Sequence, residues 1–167
     1  IVMAAKNAEA LRILNQKIKE REISKYYLCL VHGRPKKQSD TAEGFLEKDS
    51  DRNMVKIYDS PAPGRLSIKT KYTLLEHKKG ISLLEIQLLT GRTHQIRAHM
   101  AHLGCPLVGE GKYGKNAADR KKGFIHQALC SYKLRFDFPT DAEILSYLKG
   151  KEFSVDKIWF VEEFRQM

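Results

Sequence analysis

The chain has 167 residues, 42% of them hydrophobic, with 30 lysines and arginines against 20 aspartates and glutamates, a formal net charge of +10. That apolar content is enough for a core and excludes a disordered tail, and no apolar run is long enough to span a bilayer as a helix. The charge excess predicts a polyanionic partner, with nucleic acid ahead of a membrane surface.

In chain order, residues 1–5 are a short apolar run expected to be a strand, and no basic segment precedes them as in a secretory leader. In KNAEALRILNQKIKEREI, Asn7 is placed to cap a helix and Glu9 sits in its first turn. Leu11, Leu14 and Ile18 then share one face, and the Lys- and Glu-rich opposite face is expected to be solvated. KYYLCLVHG (25–33) is apolar on both faces and predicts an interior strand, closed by Gly33, Arg34 and Pro35. A polar loop with Lys36 and Lys37 follows, then two short strands around a turn at 49–53.

After a break at PAPG (61–64), LSIKTKYTLLE (66–76) and ISLLEIQLLT (81–90) alternate around HKKG and predict a long antiparallel hairpin. A helix is expected over 94–103, with Thr93 as its cap, Gly104 as its stop, and Ile96, Met100 and Leu103 as its buried stripe. KYGKNAADRKKG is a basic loop carrying Lys121 and Lys122. YKLRFDF (132–138) alternates as a strand, DAEILSYLKG (141–150) reads as a short capped helix, and the segment with Trp159, Phe160 and Phe164 is expected to dock on the body. The fold class is α+β, one domain over residues 1–167 built on a largely antiparallel sheet with flanking helices. Cys29, Cys105 and Cys130 form no close pair, which predicts a reduced, cytoplasmic chain.

Chemistry concentrates in LLTGRTHQIRAHMAHLG (88–104), where a strand end meets a helix start. A helix N-terminus favours anions, and His94 and Arg97 lie three apart near one face, with Arg92 just before the cap. A guanidinium there can grip a phosphate, hold a catalytic carboxylate ionised, or make a structural ion pair. His94, His99, His102 and Cys105 are spaced unlike a zincin motif, so a metal centre is not the expected reading. No GxSxG, Walker or dinucleotide fingerprint is present. Of Tyr26 and Tyr27, which alternate across a strand, one is free to face a cleft and stack on a base.

Three segments resemble the RluA-type pseudouridine synthases, the RluC/RluD-like enzymes of large-subunit ribosomal RNA in particular. KYYLCLVHG is similar to the family's Lys-x-Tyr strand. LLTGRTHQIRAHMAHLGCPLVGEGKYG is similar to its most specific motif, and FIHQALCSYKLRF to a later element. Glu110 stands where that family usually has Asp, a departure expected to touch only a local loop contact, and Gln127 varies within a strand element.

The resemblance implies a mixed, largely antiparallel sheet with a central cleft. It implies conversion of uridine in RNA to pseudouridine, by breaking the N1–C1′ bond and rejoining through C5, with no metal and no cofactor. It assigns Tyr27 to the base and Arg97 to a catalytic Asp, and places Arg92, Thr93, His94 and Gln95 in the substrate region. Lys36, Lys37, Lys121 and Lys122 are expected to supply affinity for RNA. The family's Asp lies in an R-L-D-x-x-T-S-G segment leading into the stretch resembled by IVMAAK, so the resemblance leads us to expect a catalytic domain truncated just after its catalytic motif and inactive alone. Arg97, without that Asp, is expected to be solvated, paired with another acid, or bound to an anion. The alternatives are a non-catalytic basic RNA-binding module and a metal-dependent hydrolase built on the histidine-rich helix.

Overall fold

Strand β1 (Ile23–His32) owes its central place to residues apolar on both faces: Cys29, Leu30 and Val31 are all fully buried. Around it the computed structural model, which describes residues 1–167, arranges α1 (Ala8–Lys19), β2 (Ser39–Asp49), β3 (Met54–Tyr58), β4 (Leu66–Lys78), β5 (Ile81–Leu88), α2 (Gln95–His102), α3 (Ala117–Lys121), β6 (Leu129–Phe136), a 3-10 turn (Glu143–Leu148), β7 (Glu152–Ser154) and α4 (Trp159–Gln166). The strands form one sheet of order β3-β2-β4-β5-β1-β6-β7. Every ladder in it is antiparallel, so the expected mixed sheet has no parallel pair. The hairpin of β4 and β5 turns at Lys79 and Gly80, both with positive φ, the backbone a two-residue turn demands. No helix is long and apolar enough to cross a membrane.

The two faces of β1 enter two cores. Cys29 and Val31 pack with Tyr72, Leu74, Leu84 and Ile86 under Ile96 and Met100 of α2. Leu30 packs with Ile81 and Leu83 under Phe160, Val161 and Phe164 of α4, so the terminal segment docks as expected. A third cluster joins Ala10 and Ile13 of α1 to Ile23, Leu134, Phe136 and Leu145.

Asn7 caps α1 as expected, its Oδ1 accepting from Ala10 N at 2.8 Å. The buried stripe of α1 is shifted, however: Ala10, Ile13 and Lys17 face inward while Leu11 is half exposed. Lys17 leaves the expected solvated face because a partner awaits it: its ammonium donates to buried Glu22 at 2.8 Å and to Thr140. Residues 1–5 form no strand, and the helix expected over 141–150 is a 3-10 turn.

Helix α2 starts at Gln95. Its N-cap is His94 in the left-handed conformation (φ 55°), with no side-chain cap, and exposed Thr93 stays outside. Leu103 is 40% exposed, and the inward face is Gln95, Ile96, Ala98, His99 and Met100. The cause is the second patch beneath α2, where Ala98 meets Leu46, Val55 and Ile68 and turns Leu103 outward.

Candidate functional site

The corner between β5 and α2 is set by a buried amide. Gln95 is 1% exposed, and its Oε1 accepts from Thr90 Oγ1 (2.9 Å) and Arg92 N (3.1 Å). Its Nε2 donates to Lys69 O (3.2 Å) and Thr70 Oγ1 (3.0 Å). With both groups of the amide satisfied inside the chain, Gln95 does not face a substrate; that expectation is corrected to a positioning one. It pins the backbone of residues 90–92 to β4 and leaves the Arg92 side chain exposed in solvent.

Arg97, two residues on, is engaged. Its Nε and Nη2 donate to the two oxygens of Glu110, both at 2.6 Å, and Glu110 is fully buried. Glu110 is therefore the acid that Arg97 faces, not a minor loop contact. Burial alone would raise its pKa, but the hydrogen bonds from Arg97 and from Lys112 N outweigh that and hold it below the usual carboxylate range. The Arg97 Nη1 makes no hydrogen bond within the chain.

The loop carrying Glu110 is held by two further ties. Tyr113 accepts from Val55 N at 3.0 Å and meets His94 Nδ1 at 3.0 Å, which fixes the strained His94 cap. Gly109 (φ 76°) donates to buried Asp119 at 2.8 Å, and a Cβ there would stand 2.2 Å from His126 O, so only glycine fits.

Tyr27 and Tyr26 diverge as alternation requires. Tyr27 lies half-buried on the α2 side beside Leu88 and Leu129, and burial raises its phenol pKa above the ordinary value. Tyr26 takes the opposite face under Lys133, whose ammonium is 4.4 Å from its ring centre. Tyr27 is paired with Ser131 of β6.

The histidines of the motif part company. His94 turns to Tyr113, exposed His102 meets Asp59 at 2.8 Å, and buried His99 meets Thr70 Oγ1 at 2.9 Å. Burial, helped by His102, pulls the His99 pKa down to about 4, so its imidazole is neutral at pH 7. No three His, Cys, Asp or Glu side chains converge as a metal-ligand set.

The lysines expected to serve RNA sit at the far end of β1. Exposed Lys36 and Lys37 line a hollow with Asp40 and Asp59, and Lys37 is paired with Asp40 at 2.9 Å. Lys121 and Lys122 are exposed at the end of α3, the helix that Asp119 ties to His32 and Gly109. Sequence reasoning gave Glu110 only a minor loop contact and gave Lys25 no role of its own. A signal for Lys25 exists: it stands two residues before Tyr27 and so on the same strand face.

The family model described as RNA pseudouridylate synthase matches residues 1–102. Ribosomal large subunit pseudouridine synthase D of Borreliella burgdorferi is 36% identical over 137 residues, 82% of this chain and 41% of that protein. Ribosomal large subunit pseudouridine synthase C of Haemophilus ducreyi is 31% identical over 149 residues, 86% of this chain and 45% of that protein. The chain thus spans less than half the length of either. Among solved structures, human RNA pseudouridylate synthase domain containing 1 superposes with a TM-score of 0.68 at 25% identity, over 98% of this chain and 74% of its own. Human RNA pseudouridylate synthase domain containing 4 shares the fold, with a TM-score of 0.73 at 16% identity.

Proposed function

The chain belongs to the RNA pseudouridylate synthase family, and on that premise we propose that it is the catalytic part of an enzyme that isomerises uridine to pseudouridine in RNA. The reaction breaks the N1–C1′ bond and rejoins the base through C5. The reading rests on the family match over residues 1–102, which takes in both the Tyr27 strand and the Arg97 helix. Large-subunit ribosomal RNA is the substrate we favour, supported by the names of the relatives from Borreliella burgdorferi and Haemophilus ducreyi.

In this reading Tyr27 stacks on the target base, since its ring stands half-open on the sheet face under α2. Glu110 orients Arg97, and the unused Nη1 is offered to a catalytic carboxylate, lowering its pKa and fixing its position. That carboxylate is the Asp of an R-L-D segment joined ahead of Ile1. The 167 residues by themselves are proposed to be inactive.

The test is tritium release from RNA labelled at uridine C5, which loses its hydrogen when it becomes the glycosidic carbon. The 167-residue chain is run beside a version extended through the parent's R-L-D segment. Release by the longer version only is the expected result. Release by the shorter one would refute the assignment of the carboxylate. Silence from both would leave a basic RNA-binding module.

A further inference from the structure

Where β1 begins, a basin of about 370 Å³ opens between the end of α1, the β1 start and residues 87–92. Four cations line it, Lys19, Arg21, Lys25 and Arg92, together with Gln87 and Thr90, and no acidic residue does. None of the four side chains is in an ion pair, although twelve ion pairs occur elsewhere in the chain. Of the two nearby acids in sequence, Glu22 is paired with Lys17, and exposed Glu20 accepts from the neutral amide of Gln16 and does not line the basin. Four unpaired cations facing one hollow repel each other unless an anion joins them.

Three features of the basin go beyond a chance surface patch. Lys25 is half-buried, and burial pulls its pKa below the ordinary lysine value, a cost that a bound anion relieves. Its ammonium lies beside the Gly91 backbone, within ordinary contact distance of where a Cβ would stand (3.5 Å), which places it at the β5–α2 corner next to Arg92. Arg92 has its backbone fixed at both ends by Gln95, through Arg92 N to Oε1 (3.1 Å) and Gln95 N to Arg92 O (3.0 Å), while its guanidinium is free.

Arg21 is the most informative of the four. It is the left-handed residue (φ 62°) that ends α1, with Arg21 N donating to Ile18 O at 3.2 Å and Glu22 N to Lys17 O at 2.9 Å. That hydrogen-bond pattern is the Schellman motif, whose left-handed position favours glycine. An arginine there is strained, and it is one of the residues that line the basin.

We propose that the basin formed by Lys19, Arg21, Lys25 and Arg92 binds phosphodiester groups of the RNA strand that runs past Tyr27, and that it, not the basic loops at 34–37 and 115–122, supplies most of the electrostatic affinity. The inference rests on the RNA reading above and adds to it where the backbone lies. Lys25 and Tyr27 are two residues apart on one strand face, so a base on Tyr27 brings its flanking phosphates to the basin.

The experiment measures binding of a fluorescein-labelled, uridine-containing single-stranded RNA 12-mer to the 167-residue chain across a salt series. Wild type is compared with the Lys19→Gln/Arg21→Gly pair and the Lys121→Gln/Lys122→Gln pair, which remove the same charge at opposite ends of β1. The basin pair is expected to lower the slope of log K against log salt by about 1.4, at about 0.7 per lost single-strand phosphate contact, and to weaken binding roughly tenfold at moderate salt. The distal pair is expected to change either quantity little. Arg21→Gly alone is expected to raise Tm while weakening binding, which separates lost affinity from lost folding. Equal weakening by both pairs, or weakening by the distal pair only, would overturn the basin while leaving RNA binding intact. A wild type that fails to bind at any salt would instead bring down the RNA reading itself, and the basin with it. A fall in Tm on Arg21→Gly would overturn the strain argument.

Discussion

Lys25 and His32, near the two ends of β1, stand roughly 23 Å apart, seven residues at the rise of a strand, and their surroundings treat charge differently. Around His32 the two best-placed cations have each met an acid, Arg97 with Glu110 and Lys37 with Asp40, while exposed Lys36, Lys121 and Lys122 are unpaired but spread over separate loops. Around Lys25 the cations stand together with none. Both ends look basic in the sequence. The difference teaches that net charge names a class of partner, whereas the placement of carboxylates decides which cations are left to meet it.

The largest expected effect breaks the paired end. Arg97→Met leaves Glu110 buried and uncompensated, and should cost about 3–5 kcal/mol in urea unfolding at pH 7. Arg97→Met/Glu110→Met should recover much of that loss, because no isolated charge remains. A single-variant loss below about 1 kcal/mol would mean that the pair does not hold the loop.

Acid should loosen the same region. His99, with a folded pKa of about 4 against an ordinary 6.5, binds its proton more readily when unfolded. Its contribution is complete above pH 6.5 and is lost progressively as pH falls to about 4. Between pH 7 and pH 5, before carboxylates titrate, the loss should be about 2 kcal/mol. The lowered pKa of Glu110 adds a further loss below about pH 4.5, with the same sign. An imidazole resonance for His99 titrating near 6.5 by NMR would contradict the first effect.

Arg21→Gly sharpens the contrast from the unpaired end. Relief of the left-handed arginine should stabilise the chain by about 1 kcal/mol in the same unfolding assay. The smallest effect is expected back at the paired end: Lys37→Gln should change RNA affinity less than about twofold, since Asp40 already neutralises that ammonium. A loss as large as that from a basin residue would erase the distinction between the two ends.

Much of the fold was legible from local rules. The Asn7 cap, the alternation of β4 and β5 around Lys79 and Gly80, and the doubly apolar run of β1 all follow from interactions within a few residues. The motif at 88–104 was legible as a corner rich in chemistry, and the separation of Tyr26 from Tyr27 followed from the period of a strand. What failed did so for one reason. Whether Gln95 points outward, whether Lys17 is solvated, and which acid Arg97 meets depend on groups that other segments supply: Thr70 and Lys69 from β4, Thr140 beyond β6, and Glu110 across a loop.

The sequence by itself determined the antiparallel class, the centrality of β1, the positive field and the residues of the motif, because periodicity, turn chemistry and charge are properties of neighbouring residues. Only the tertiary structure decided that Arg97 is held and Arg92 is free, because burial and pairing are settled when distant segments close on each other and either bring a carboxylate within 3 Å or leave none.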